Sequence, residues 1–257
     1  MKTETKTHLH PFVKEVVAED VIPFERNVLL ELVNNLFNRT GDFSKDMTHA
    51  ILGIQTEAFE METATDDTHR LEEIGDGIFF FTAMMMVAVE MVQKGRLPMA
   101  EIDRVEVFLD AVEEEFQVAL RDGTDFFKLV RAHNVEALDI LKKWVGYGKQ
   151  PVDQMPRLLA ISISTLLYGI ELAMTAMHRT DFNAVVEEAI DMNIAKLNKR
   201  YSLGKFDADS ALNRDTAAER QALESASKSS NNEGEDGIKP DTAYKLDGND
   251  KFVEASE

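Results

Sequence analysis

Residues 50–81 read AILGIQTEAFEMETATDDTHRLEEIGDGIFFF. Glu57 and Glu60 stand three apart, and so do Glu73 and Asp76. On an α-helix that spacing places both members of a pair on one face. Ala64 to Asp67 has the composition of a turn, with Asp67 or Thr68 as the N-cap of the next helix. The two acid pairs are mirror images about a point between Asp66 and Asp67. An antiparallel helix hairpin turning there sets Glu57 opposite Asp76 and Glu60 opposite Glu73. Four carboxylates then converge about 9–14 Å from the turn, at roughly 1.5 Å per residue.

The surroundings of the four acids separate them from a solvated surface. Ile51, Ile54, Ala58 and Met61 form one apolar arc of the first helix, with Glu57 at its edge and Glu60 one step further round. On the second helix the face of Glu73 and Asp76 is continued by Phe80, Met84 and Val87. Carboxylates crowded beside apolar surface repel one another and lose hydration. A divalent cation relieves both costs, and hard oxygen ligands favour magnesium or manganese over zinc. Either pair alone would read as two surface acids. The shared mirror point and the apolar continuation single the four out.

Outward from this hairpin, the chain reads as helix throughout. Strict alternation and Asn-Gly or Asp-Gly hairpins are missing, and Val and Ile recur at helical spacing. Helices are expected over about 23–38, 44–63, 68–94, 99–120, 125–145, 153–177 and 181–199, with a short one over 208–223. The fold class is all-α, a helical bundle built round the carboxylate hairpin. Residues 1–223 form one domain. Residues 224–257 are rich in Ser, Asn, Gly and acids, have little to bury, and are expected to be a disordered acidic tail.

The 257 residues carry 28 Lys and Arg against 47 Asp and Glu, a formal charge of −19. The tail from Glu224 holds 9 acids and 4 bases, which leaves −14 on the body. A surface this acidic repels phosphate backbones and anionic bilayers, so neither a nucleic-acid polymer nor a membrane is an expected partner. A bound divalent metal inverts the local field and admits a phosphate ligand. Cysteine is absent, which removes disulfides, thiolate metal sites and thiol nucleophiles and suits a cytoplasmic location. The N-terminus has no apolar h-region. The longest uncharged apolar runs, 77–89 and 158–170, fall short of the roughly 20 residues of a membrane span. The phosphate-binding GxxxxGK[ST], GxGxxG after a strand, GxSxG and HExxH are all missing. His8 and His10 read as a solvated pair.

The segments HAILGIQTEAFEM and LEEIGDGIFFF resemble the MazG-like all-alpha nucleoside triphosphate pyrophosphohydrolases, in the variety found in bacteriophage and bacterial genomes. The family signature is EExxE, a spacer, then ExxD. Glu57 and Glu60 match its second and third glutamates, and Glu73 and Asp76 match the ExxD. Thr56 stands where the first glutamate is expected, a departure that bears on the number of metal ions. NIAKLNKRYSLGKF with ALNRDTAAE is similar to a later family segment built on NxxKxxxRY. Its Asn193, Lys196 and Arg200 fall at i, i+3 and i+7, one stripe of a helix able to offer donors to a triphosphate.

The resemblance implies hydrolysis of a nucleoside triphosphate to the monophosphate and pyrophosphate, in the cytoplasm, or in the host's if the chain is phage-encoded. It implies magnesium, or manganese, held by Glu57, Glu60, Glu73 and Asp76, with Glu57 or Glu60 orienting the attacking water. Lys196 and Arg200 would stabilise charge on the departing pyrophosphate, with Asn193 and the loop residue Lys149 as further substrate contacts. It also implies a homodimer or homotetramer. Two alternatives stand beside this reading: a dUTP-directed diphosphatase using the same hairpin, and a non-enzymatic acidic helical protein that mimics nucleic acid.

Overall fold

The computed structural model describes residues 24–121, 126–201, 204–213, 215–232, 244–246 and 252–254. It is all-α: α1 (Phe24–Leu36), α2 (Phe43–Thr63), α3 (Asp67–Gln93), α4 (Met99–Asp103), α5 (Val105–Arg121), α6 (Phe126–Tyr147), α7 (Met155–Ala176), α8 (Phe182–Arg200), α9 (Ala208–Leu212) and α10 (Thr216–Asn232). Beyond the bundle, Tyr244–Leu246 and Phe252–Glu254 pair antiparallel as a small ladder. The expected disorder of the tail falls largely on residues outside those described, as do His8 and His10.

Side-chain caps set several helix starts. Asp42 accepts from the Ser44 amide at 3.0 Å to begin α2, and Asp181 accepts from the Ala184 amide at 3.1 Å to begin α8. The cap of α3 is Asp66, which accepts from the His69 amide at 2.9 Å, one residue before the expected Asp67 or Thr68. Arg70 closes the hairpin turn by donating to the Ala64 carbonyl at 2.9 Å. Gly95, at φ 64°, ends α3 where a side chain would be strained.

Two expected helices are broken. The chain turns at Arg104, which divides residues 99–120 into α4 and α5. The stretch 208–223 divides after Leu212, because Asp215 accepts from the Ala218 amide at 3.0 Å and starts a new helix. That helix runs on past Leu223 to Asn232, so helix crosses the compositional boundary at residue 224.

The α2–α3 hairpin is the most extensive helix pairing in the bundle. α7 lies against it from one side and α8 from the other, and α10 covers α8. Ile51, Ile54, Met61, Met84 and Val87 are buried as the apolar arcs require. α7 is buried almost all round, from Leu158 to Ile170. α3 and the segment Val152–Ala176 are long and apolar enough, by length and composition, to cross a membrane. Both exceed what the uncharged runs alone indicated, because flanking residues lengthen them. Their most apolar windows are 61% and 83% buried within the bundle, so packing accounts for their apolarity.

Charged ties fix the periphery. Arg39 spans from Asp46 on α2, at 3.1 Å, to Glu90 on α3. Arg157 on α7 reaches Glu115 on α5 at 3.0 Å and Glu136 on α6 at 3.1 Å.

Glycine sets the approach of α8 to the hairpin. A Cβ on Gly75 would stand 2.5 Å from the Ala189 carbonyl oxygen and 2.8 Å from the Asn193 Cβ. Backbone cannot swing aside as a side chain can. Gly75→Ala is therefore expected to cost about 1–3 kcal/mol through forced separation of the helices, roughly 2–10 °C in Tm at this length. Gly146→Ala, where nothing lies within 4 Å of the added carbon, should be neutral or stabilising by up to about 1 kcal/mol. Thermal unfolding of the two variants checks the contrast.

Candidate metal centre

The hairpin brings its acids together as the spacing predicts, with one exception. Ligand oxygens of Glu57, Glu60 and Glu73 all lie within 4.8 Å of one another. The fourth acid, Asp76, lines the same pocket but is turned to α8. One of its oxygens accepts from the Asn193 amide and the other from the Lys196 ammonium. The arrangement is thus three converging carboxylates and a fourth already neutralised, not a symmetric four-acid cage. The reason lies in α8, whose approach over Gly75 places a cation beside Asp76.

The three free acids are held under electrostatic tension. Glu73 is buried and Glu60 is exposed, with Glu57 between them. Burial pushes the Glu57 carboxyl up to about 10, and the charges of Asp76, Glu73 and Glu60 add to the shift. Burial likewise raises Glu73, and the two share a hydrogen bond. Both carboxyls are thus shifted toward their protonated forms, and the hydrogen bond ties them together. His69, one turn before Glu73, adds a contact from Nε2 to its Oε1 at 2.8 Å. Thr56 donates to the Gly53 carbonyl at 2.9 Å and is not among the pocket-lining residues.

These acids line an open pocket of about 540 Å³ between the hairpin and the first turns of α10. The stripe Asn193, Lys196 and Arg200 does share one face of α8, but its donors are spent on protein acids rather than offered to solvent. Asn193 and Lys196 are both 0% exposed. Lys196 bonds Asp76 and, at 3.2 Å, Glu72. Burial alone would depress its ammonium, and the two carboxylates more than offset that and hold it above its ordinary range. Arg200 makes a two-pronged bond to Glu219 on α10, at 2.9 and 2.7 Å. In this structure the stripe bonds Asp76 and clamps α10.

Lys149 belongs to the far end of the bundle. It is exposed after α6, beside Gln150, whose amide donates to the Arg96 carbonyl beyond the end of α3. Arg96 is 20 residues from Asp76, roughly 30 Å at helical rise, so Lys149 does not reach the pocket within one chain. Sequence reasoning also missed residues that do line it: His69, Glu72, Thr216, Glu219 and Arg220. His69 and Glu72 were within reach of the same helical-face argument, since His69 lies four residues before Glu73 and Glu72 four before Asp76.

Comparison with protein-family models, with curated proteins and with solved structures returns no match. The resemblance to the MazG-like enzymes rests on the motif residues themselves.

Protons make a test of this centre. Because the folded-state pKa of Glu57 lies above its ordinary 4.5, the folded chain binds more protons than the unfolded one between the two values. Stability without metal is full below the ordinary carboxylate range and falls as pH rises toward about 10. Tm measured without metal should fall across that window, and magnesium should restore it by binding only the folded form. Glu57→Gln keeps the donor and removes the titration. It should flatten the pH dependence and raise the neutral-pH, metal-free Tm by about 2–4 °C, the equivalent of roughly 1 kcal/mol.

Proposed function

We propose that this chain is a magnesium-dependent nucleoside triphosphate pyrophosphohydrolase acting at the carboxylate pocket. The observation that carries the proposal is the trio Glu57, Glu60 and Glu73, with oxygens within 4.8 Å of one another on the wall of an open pocket. Burial and mutual repulsion raise the carboxyls of two of the three, Glu57 and Glu73. Crowded oxygen-only donors fit a hard divalent cation, which relieves their repulsion. The spacing shared with the MazG-like signature supports the same reading.

Glu57, Glu60 and Glu73 would hold the ion, with Asp76 beside them. When bound, magnesium supplies charge neutralisation for the triphosphate and a more acidic water. Glu60, the exposed member, would orient that water as general base, a role open to Glu57 as well. In that step Glu60 would take the water's proton as the water oxygen bonds the α-phosphorus, and the α–β bridging P–O bond would break, pyrophosphate leaving with the bridging oxygen and the nucleoside monophosphate remaining. Glu72 and Asp76 fix Lys196 behind the site, and Arg200 holds α10 across it through Glu219. A homodimer or homotetramer goes with this reading. Within one chain the outer face of α2 leaves Phe59 60% exposed, and that is apolar surface for an interface.

The nucleic-acid mimic is the weaker reading. A mimic displays its acids outward, whereas Glu73 is buried and Glu57 is partly so. A dUTP-directed enzyme would share every residue named here and differ in a base pocket.

The purified chain should release pyrophosphate from at least one member of a nucleotide panel with magnesium, and none with chelator. Glu60→Gln should lower kcat by about 100-fold or more, because it removes the base from the reacting water, with Tm unchanged. Asp76→Asn should lower Tm as well, by about 3 kcal/mol of stability, since it strips a carboxylate from the buried Lys196. Release that ignores chelator, or none from any nucleotide, overturns the proposal.

A further inference from the structure

The pocket is an odd receptor for a polyanion. Seven acids line it, and among the described residues lining it the only arginine or lysine is Arg220 on α10. The two cations of α8 nearest the acids are committed elsewhere, Lys196 to Asp76 and Glu72, and Arg200 to Glu219. Arg220 is held differently. Its guanidinium bonds Asp66 and Glu224, each at 3.1 Å. All three side chains are well exposed, at 38% for Arg220, 50% for Asp66 and 48% for Glu224. Ion pairs this open to water are weak and exchangeable.

Position completes the case. Asp66 is the cap of α3 and Glu73 lies seven residues along the same helix, roughly 10 Å at helical rise. Arg220 therefore stands at one end of the pocket and the carboxylate trio at the other. The Arg200–Glu219 clamp fixes the first turns of α10, so the adjacent Arg220 is presented at a set height. A guanidinium matches a phosphate with two parallel bonds, as it matches a carboxylate. We infer that Arg220 is the terminal-phosphate contact of this pocket, exchanging Asp66 for the phosphate farthest from the metal and so selecting tri- over diphosphates. The inference rests on the proposed nucleotide site. Since it concerns binding of a polyphosphate chain, it can be tested apart from hydrolysis.

Two measurements separate the outcomes. In the first, magnesium and inorganic tripolyphosphate are titrated calorimetrically into the full chain and into Arg220→Gln. Binding to the former, weakened about tenfold or more in the variant, is expected from loss of a charge-assisted contact. In the second, with any nucleotide that the chain hydrolyses, Arg220→Gln should raise KM for the triphosphate about tenfold with kcat little changed. It should leave KM for the corresponding diphosphate unaltered, and Arg220→Lys should recover part of the loss. Asp66→Asn keeps the helix cap and removes the competing carboxylate, so it should lower KM. Tripolyphosphate binding that depends on Arg220 without hydrolysis of any nucleotide would uphold this contact and sink the hydrolase reading. Equal binding by both proteins, or no binding by either, overturns the inference. So does a matching fall in Tm and activity in Arg220→Gln and Asp66→Asn, which would make the pair a structural tie.

Discussion

An ammonium group with no exposed surface organises one side of this molecule. Lys196 is 0% exposed, and a buried cation is tolerable only where carboxylates meet it. Asp76 and Glu72 do so from α3, and the requirement fixes the register of α8 on the hairpin. A shift of α8 by one turn would take Lys196 out of reach of one of its two carboxylates. Gly75 is part of the same constraint, since the closeness that buries Lys196 leaves no room for a Cβ. Such a pair contributes little net stability against an apolar substitute. Its effect is to make one packing of α8 far better than its neighbours.

That pairing also divides the acids into two classes. Asp76 and Glu72 are compensated from within the protein. Glu57, Glu60 and Glu73 crowd one another, with the His69 imidazole against Glu73, and burial raises the Glu57 and Glu73 carboxyls. If α8 carried no lysine, four acids would repel across the hairpin and the folded state would lose more. If it carried another cation facing the trio, the acids would be satisfied and a metal would gain little by binding. The geometry lies between these extremes, with local repulsion that an external cation removes. Uncompensated charge of this sort marks a functional site more often than a structural one.

The hairpin was legible because its information is local. Turn position, helical spacing and the apolar continuation through Phe80, Met84 and Val87 all follow from neighbours within a few turns of helix. The partners of Asn193 and Lys196 were not legible, because they lie 117 to 124 residues away and depend on how α8 docks. The stripe was read correctly as a shared face, and its protein partners across α3 and α10 were not read at all. Lys149 failed for a related reason, as a loop lysine carries no sign of which end of a bundle it occupies. Arg220 gave no signal beyond an ordinary i, i+4 pair with Glu224. Only the break after Leu212, made by Asp215 as a cap, turns α10 across the pocket and gives that arginine a place.

The general acidity of the chain follows from the same division. Most of the −19 lies away from the trio and cannot take part in binding. It still shapes what reaches the pocket, because unpaired triphosphate approaches a negative surface and is repelled, whereas its magnesium complex carries less charge. A basic surface would raise the concentration of free nucleotide and of nucleic acid alike. An acidic surface with a paired arginine at the pocket would, on the proposed reading, favour metal-bound small nucleotides over polymers. On the proposed reading, then, the acids outside the site contribute to discrimination at a distance, and the single arginine contributes at contact.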